Sequence, residues 1–344
     1  MSAGMAWVVC PALVLYAALV GCNPVAQDAD GGGPSDFPIH HETPSWSPDG
    51  RIAYRDRGIV CVESDGSYNI DERLAGIWII EPTAGEQEQL ASGRSWRSPS
   101  WSPEGGRLLL ENSIEHAIYE TSVDSPDFVR LTTSGWNQRP AWSPDGGAIA
   151  FESDFGVAGG PLYIAIHRLG GGEARRTIIG RQAAWSSDGL RVFHIQSVLD
   201  AGSEVFVMSA VGEAVIRLTS SPATDRGPEN SPDGRLIAFS SQQPRNADVL
   251  PEIWIMDADG THPRQLTFDG GDDPSWAPDG QRIVYTRADW RSDMSEIGVL
   301  WTVDVRTGRR EQLTQKWPER CGAGPVSPEC AQVGSVLHDS PTTH

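Results

Sequence analysis

A short motif recurs six times along this chain of 344 residues and limits the folds that it can adopt. The full form, Pro-x-Trp-Ser-Pro-Asp-Gly, first spans residues 44–50. The motif position is occupied in turn by Trp46, Trp101, Trp142, Trp185, Asn230 and Trp276. Successive copies lie 55, 41, 43, 45 and 46 residues apart, and the first interval is long because of an insertion over residues 61–76. Such a period is typical of arrays in which each repeat is one supersecondary unit.

Hydrophobic columns with the same period predict four short strands in each unit. The second strand carries Tyr54, Leu110, Phe151, His194, Phe239 and Tyr285. The third strand carries Trp78, Tyr119, Tyr163, Phe206, Trp254 and Trp301. The fourth strand carries Leu90, Leu131, Ile178, Leu218, Leu266 and Leu313.

The Ser-Pro-Asp-Gly segment predicts the turn between the first two strands. Proline presets φ for a type I turn, aspartate suits the next position, and glycine takes the left-handed conformation of a hairpin with a bulge. Four strands of this size cannot bury both faces alone, so the units must stack around an axis. The six copies therefore predict an all-β chain, a six-bladed β-propeller of four-stranded antiparallel blades. We expect the strand that closes the ring to come from residues 37–41 or from the segment around Trp317.

The N-terminal residues before the repeats carry features of an export signal. Residues 1–27 contain no charged side chain, and an apolar run closes in Leu19-Val20-Gly21-Cys22. This ending resembles the lipobox of bacterial lipoproteins, which implies a signal peptide over residues 1–21 and lipidation of Cys22. An uncleaved membrane anchor stays the alternative, because no Lys or Arg precedes Arg51 and the stretch is long enough to span a bilayer. Either way, we expect the rest of the chain to be exported.

The predicted domains after the signal are a flexible tether over residues 22–38, the propeller over 39–317 and a tail over 318–344. The tether is rich in Gly, Asp, Pro and Ser and cannot bury enough apolar surface to fold. In the tail, Cys321 and Cys330 could form a disulfide in an oxidising compartment, with two free thiols as the alternative. Asn23 follows the lipobox cysteine and resembles an outer-membrane sorting signal. We therefore expect a lipid-anchored protein on the periplasmic face of the outer membrane or on the cell surface.

The charge of the chain limits its partners. The formal net charge is −19, which disfavours binding to nucleic acid or to anionic lipid. Lys316 is the only lysine, so cationic sites here depend on the planar, forked guanidinium of arginine. We expect a monomer that binds no nucleic acid and contacts the membrane only through its lipid anchor.

Several segments resemble the propeller repeats of TolB. These are the Trp-Ser-Pro-Asp-Gly motif itself, the run Ile-Trp-Ile-Met-Asp-Ala-Asp-Gly at 253–260 and Arg-Gln-Leu-Thr at 264–267. The resemblance covers residues 40–315 and implies the fold more specifically than the function. TolB has a separate α/β domain before its propeller, and we expect no such domain here because only the tether precedes the first repeat.

Enzymatic interpretations find little support in the sequence. Peptidases with a similar propeller need a Gly-x-Ser-x-Gly nucleophile elbow and a following hydrolase domain, and neither is found. A pectate-fragment lyase would need histidines that converge on a metal. His116, His167, His194 and His262 lie at different offsets from their motif positions, so we expect them to stay apart, with His194 in the core. The segment Asp257–Gly260 is interpreted as a turn rather than a calcium loop. We therefore predict a protein that is not an enzyme and has no cofactor or metal.

The predicted site is a ring of residues four positions before each motif position, where the innermost strands begin. Its members are Glu42, Arg97, Gln138, Arg181, Arg226 and Asp272. Three arginines in such a ring suit carboxylate or phosphate groups, although the charged members could instead pair with one another or with water.

Two functions fit this predicted site. The first is an envelope-anchored scaffold that binds a protein or peptide across the channel mouth. The alternative is a small-ligand or carbohydrate-binding propeller, with a polysaccharide lyase-like activity as one form, that also uses Trp96 and Trp136. The other role for these two tryptophans is packing between blades.

Overall fold

A computed structural model describes residues 41–62, 68–125, 127–199, 202–243, 250–291 and 294–314. They form six four-stranded antiparallel sheets, here called blades one to six, which confirms the predicted all-β six-bladed propeller. No helix long and apolar enough to cross a membrane occurs within these ranges. The predicted signal peptide, Cys22, the tether and the Cys321–Cys330 pair lie outside the described residues.

Each blade uses four strands in chain order, and blade one carries an additional hairpin. Blade one contains β1 (His41–Trp46), β2 (Ile52–Asp56), β5 (Gly76–Ile80) and β6 (Gln87–Ser92), with the hairpin β3 (Ile59–Val62) and β4 (Tyr68–Ile70). Blade two contains β7 (Trp96–Trp101), β8 (Arg107–Asn112), β9 (Ala117–Ser122) and β10 (Val129–Arg130). Blade three contains β11 (Asn137–Trp142), β12 (Ala148–Ser153), β13 (Tyr163–Arg168) and β14 (Arg175–Ile179).

The second half of the ring repeats this arrangement. Blade four contains β15 (Arg181–Trp185), β16 (Arg191–Val198), β17 (Gly202–Ser209) and β18 (Ile216–Arg217). Blade five contains β19 (Thr224–Asn230), β20 (Leu236–Gln242), β21 (Glu252–Asp257) and β22 (Arg264–Gln265). Blade six contains β23 (Asp272–Trp276), β24 (Arg282–Arg291), β25 (Met294–Asp304) and β26 (Arg310–Gln312).

The predicted hydrophobic columns are cross-strand neighbours in five blades. The directly opposed pairs are Tyr54 with Trp78, Leu110 with Tyr119, His194 with Phe206, Phe239 with Trp254, and Tyr285 with Trp301. Blade three differs from the prediction, because Phe151 lies opposite Ala165 while Tyr163 stands two residues earlier, at the start of β13. The pairing register, set by the neighbouring strand, therefore decides which residue occupies the column there.

The Ser-Pro-Asp-Gly turns have the predicted geometry. In blade three the Gly146 N–H donates to the Ser143 carbonyl at 2.9 Å, and Gly146 has φ +66°. The Ser143 hydroxyl donates to Asp145 at 2.6 Å and accepts the Ala148 N–H at 2.8 Å. The hydrogen bond from Ser143 lowers the pKa of Asp145, because it stabilises the ionised carboxylate. The aspartate of the motif is thus a turn former.

The motif tryptophans pack five of the blades against the blade before them. Trp46 closes the ring in this way, since it contacts Ala277, Val284 and Leu300 of blade six. The Arg282 guanidinium lies over the Trp46 ring at 5.6 Å, which adds a cation–π contact at the same junction. All four strands of each described blade come from one repeat, so blades six and one meet here by side-chain packing.

Two of the departures from the motif are partners of each other. Asn230 replaces the motif tryptophan in blade five, and Ser187 replaces the motif proline in blade four. Serine has the backbone N–H that proline lacks, and Ser187 donates it to Asn230 Oδ1 at 2.9 Å. The Asn230 amide also donates to the Leu236 carbonyl at 2.8 Å. A hydrogen bond therefore replaces the tryptophan contact at this junction.

We expect the stabilising effects of Asn230 and Ser187 to be coupled. Asn230→Ala should lower the free energy of unfolding by about 1 kcal/mol, and the same change should cost less when Ser187→Pro has already removed the N–H donor. Urea denaturation of the wild type, the two single variants and the double variant measures the coupling. Additive effects of the two changes would contradict this assignment.

Candidate functional site

The first strands of the six blades surround a central channel of about 540 Å³. We call the end where these strands begin the entry face, and the end that carries the Ser-Pro-Asp-Gly turns the turn face. Prolines contribute much of the wall near the entry face: Pro44, Pro99, Pro140, Pro228 and Pro274. Ionisable side chains on this wall are therefore set among apolar surfaces.

A bulge in every first strand decides which residues face the channel. The pairing register with the second strand shifts directly after each predicted ring residue. The next residue in all six strands has a positive φ, between 47° and 54°. These six residues line the channel: Thr43, Ser98, Arg139, Gln182, Gly227 and Asp273. The predicted ring stands one position earlier, outside the channel lining, because the bulge turns the following residue inward.

Two members of the predicted ring bind charged side chains of the second strand in their own blade. Glu42 forms an ion pair with Arg55, with 2.6 Å between Oε2 and Nη1. Gln138 donates its amide to Glu152 Oε2 at 2.8 Å. Both side chains are therefore tied to the strand beside them.

The other members stand at the same level of their strands. Arg226 Nη1 lies 3.8 Å from Asp272 Oδ2, so these two ring members form an ion pair with each other. Burial lowers the pKa of Arg97, and the nearby Arg139 adds to this effect. Arg181 is exposed. One ion pair, between Arg226 and Asp272, therefore joins members of the ring at the entry face.

Hydrogen bonds between blades hold the bulges in place. The Arg139 N–H donates to Glu111 Oε2 of blade two at 3.1 Å, and the Gln182 N–H donates to Glu152 Oε1 of blade three at 2.9 Å. Gln182 in turn accepts the Gly227 N–H of blade five at 2.9 Å. Each contact satisfies an amide that the register shift removes from the ladder. These hydrogen bonds therefore connect blades two to five around the opening of the channel at the entry face, here called the mouth.

Arg139 is the channel-lining cation that the sequence prediction missed. Its side chain is 42% exposed, and its Nε lies 3.7 Å from an oxygen of Glu152, which is 1% exposed. Burial alone would lower the pKa of Arg139, but the charges of Glu152, Asp273, Glu111 and Asp272 raise it overall. Burial raises the pKa of Asp273, and the adjacent Asp272 adds to the shift. An arginine of blade three therefore faces two carboxyl groups of blade six across the channel.

Glu229 is a second channel-lining group that the sequence prediction missed. It lies directly before Asn230, where the other blades have Ser or Ala. Its Oε1 accepts the Ser275 hydroxyl at 3.3 Å. Burial raises the pKa of Glu229 to about 8, which hydrogen bonds from Trp276 and Ser275 only partly oppose. A charged residue at a small-residue position was the available sequence signal.

The four histidines lie in four different blades, as predicted, and His194 is fully buried in the core. Burial lowers the pKa of His194 to about 4. Among the described residues, no group of three His, Cys, Asp or Glu side chains is arranged to hold a metal ion. Asp257–Gly260 forms the predicted turn, since the Gly260 N–H donates to the Asp257 carbonyl at 2.8 Å.

The two tryptophans considered for ligand binding differ in their environments. Trp96 packs between blades one and two and stacks on Phe128 with a centroid distance of 4.6 Å. Trp136 is 50% exposed and contacts the His116 ring at 4.7 Å. The packing role therefore applies to Trp96, while Trp136 presents an open aromatic surface.

Stability should depend on pH through Glu229. A carboxyl with a pKa of about 8 in the folded state and 4.5 in the unfolded state binds more protons when folded, so stability should fall as pH rises from 4.5 to 8. Glu229→Gln keeps the acceptor and removes the titration, so it should stabilise the protein by on the order of 2 kcal/mol at pH 9 and have little effect at pH 4. Urea denaturation from pH 4 to 9 measures this difference, with the exposed Glu86→Gln as the control. An effect of Glu229→Gln that does not change with pH would contradict the assignment.

Comparisons with known proteins agree with this architecture. The family described as TolB beta propeller domain matches residues 181–333. An uncharacterized protein of Agrobacterium fabrum is 26% identical over 203 residues, which are 56% of this chain and 66% of that protein. The Tol-Pal system protein TolB of Francisella tularensis subsp. holarctica is 29% identical over 261 residues, which are 71% of this chain and 55% of TolB. The chain thus spans about half to two thirds of the length of these relatives.

A solved structure extends the likeness to the fold. The crystal structure of TolB from Acinetobacter baumannii superposes with a TM-score of 0.57 at 23% identity, over 70% of this chain and 57% of that one. The repeated motif, the six described blades and these matches lead to one conclusion. This chain is a TolB-like β-propeller repeat protein.

Proposed function

We propose that this chain is a protein-binding module of the bacterial cell envelope. The observation that carries the proposal is the likeness of its propeller to TolB, a Tol-Pal system protein. The lipobox-like Leu19–Cys22 segment supports export and anchoring through a lipid on Cys22, on the periplasmic side of the membrane or at the cell surface. The partner is an envelope protein or peptide, and the chain acts as a monomer.

The proposed docking site is the entry face. It contains the predicted ring of Glu42, Arg97, Gln138, Arg181, Arg226 and Asp272, and the channel-lining residues beside it. The guanidinium groups of arginine suit carboxylates of a partner, and the ion pair with Asp272 would orient the Arg226 side chain before binding.

The buried carboxylates at the entry face accept structural hydrogen bonds, which supports a role in binding rather than in catalysis. Glu152 is 1% exposed and uses both oxygens to accept hydrogen bonds from Gln138 and Gln182. Glu111 accepts the Arg139 N–H and the Ser98 hydroxyl on one oxygen. These groups hold the backbone of the mouth, which supports a rigid binding surface.

The test is cross-linking in native cells followed by capture of the tagged full-length chain. The wild type should retain an envelope protein. The combined Arg97→Glu, Arg181→Glu and Arg226→Glu variant should retain at least tenfold less of it, because three guanidinium groups are replaced by carboxylates. The matched control reverses three exposed arginines in loops of the turn face, Arg235, Arg306 and Arg309, and should retain the partner.

Two results would count against the proposal. Capture of no envelope protein by the wild type would oppose a binding module. Equal retention by both triple variants would oppose the entry face as its site. The urea midpoints of the variants show whether each remains folded.

A further inference from the structure

Trp136 stands at the entry face between blades two and three, directly before β11. Its side chain is 50% exposed, yet its position is well defined by contacts. The backbone N–H donates to Asp154 Oδ1 at 2.8 Å, and the ring rests against His116 with 4.7 Å between centroids. A large aromatic surface is therefore presented to solvent by a residue whose backbone is fixed.

The loop that carries Trp136 is held by a buried asparagine. Asn137 is 2% exposed, and its amide donates to the carbonyls of His116, Ser134 and Gly135 at 3.1, 2.9 and 3.0 Å. Gly135 has φ +80°, and a Cβ on it would lie 2.6 Å from the Gly156 nitrogen. These contacts restrict the conformation of the loop, which reduces the conformational entropy that would be lost when a ligand contacts the indole.

Other exposed apolar side chains occupy the neighbouring loops. Ile114, two residues before His116, is 79% exposed. Val157, directly after Gly156, is 57% exposed. Both loops lie on the entry face beside Trp136. The indole thus belongs to an apolar area at the rim of the mouth.

The sector of the mouth beside Trp136 presents positive charge. Arg139, on β11, follows Trp136 by three residues, about 10 Å along an extended chain, and is 42% exposed. Arg181 of blade four is exposed. Glu111 and Glu152, which accept the N–H groups of the bulges here, are buried, whereas Glu115 between Ile114 and His116 is exposed and forms an ion pair with Arg130. The turn face instead carries the motif carboxylates of Asp49, Glu104, Asp145, Asp188, Asp233 and Asp279. Exposed guanidinium groups therefore lie beside Trp136 at the entry face.

We propose that Trp136 anchors an acidic peptide segment of the partner. An apolar side chain of the segment packs on the indole, and its flanking carboxylates bind Arg139 and Arg181. Aromatic residues and arginines dominate the energetics of protein interfaces, and guanidinium forks match carboxylates. This inference rests on the proposed function, because it names the chemistry of the partner at the proposed docking face.

The test uses a fluorescein-labelled peptide, Gly-Glu-Asp-Phe-Glu-Asp-Gly, titrated with the full-length chain at low salt and followed by anisotropy. We expect binding that weakens about tenfold with Trp136→Ala and three- to tenfold with Arg181→Gln. Replacing Phe by Ala in the peptide should weaken binding as much as Trp136→Ala does. Trp136→Phe should keep most of the affinity, and Leu190→Ala, which changes an exposed residue on the turn face, should keep all of it.

Several outcomes would overturn the inference. The first is that the acidic peptide does not bind. The second is that a peptide with Lys in place of Glu and Asp binds equally well. The third is that Trp136→Ala leaves binding unchanged while the variant keeps the wild-type urea midpoint. Trigalacturonate that binds through Trp136 where the peptide does not would assign the indole to a saccharide instead.

The cross-linking experiment separates failure of this inference from failure of the proposed function. A partner captured equally by the wild type and by Trp136→Ala would leave the envelope-binding function in place and remove only the anchor. Capture of no partner would instead remove the proposed function itself.

Discussion

A sheet of four short strands has two faces to bury, and in this propeller each face is covered by a neighbouring blade. The motif tryptophans supply much of that cover, because each extends from its own blade onto the preceding one. At the closing junction, Trp46 meets Ala277, Val284 and Leu300 of blade six, while Arg282 covers its ring. The ring is therefore a closed cycle of similar contacts, and the shape of the channel depends on each of them.

The same ring geometry produces the chemistry of the mouth. A bulge near the start of each first strand turns one residue into the channel and leaves its N–H without a partner in the ladder. Glu111, Glu152 and Gln182 accept three of these amides from the next blade. The buried carboxylates Glu111 and Glu152 thus have a structural role. The mouth owes its rigidity to inter-blade hydrogen bonds, as the blades owe theirs to inter-blade packing.

Departures from the repeat mark where the propeller loses its symmetry. Asn230 and Ser187 exchange a tryptophan contact for a hydrogen bond, and Glu229 beside them places an ionisable group on an otherwise small-residue wall. Trp136 adds an exposed aromatic surface above blades two and three. A perfectly repeated propeller would present the same group six times. These particular residues make the sectors of the propeller chemically distinct from one another.

The sequence by itself determined the number of blades, the type of turn and most of the column pairs, because these depend on local spacing, on proline and glycine geometry and on hydrophobic period. It also predicted a candidate ring four positions before each motif position. Only the tertiary structure decided that Arg139 and Asp273, rather than Gln138 and Asp272, face the channel. The reason is that a bulge shifts the alternation of side chains by one residue, and its position is set by pairing with the adjacent strand. Likewise, the exposure of Trp136 and the partial burial of Trp96 depend on the neighbouring blades, which no local pattern records.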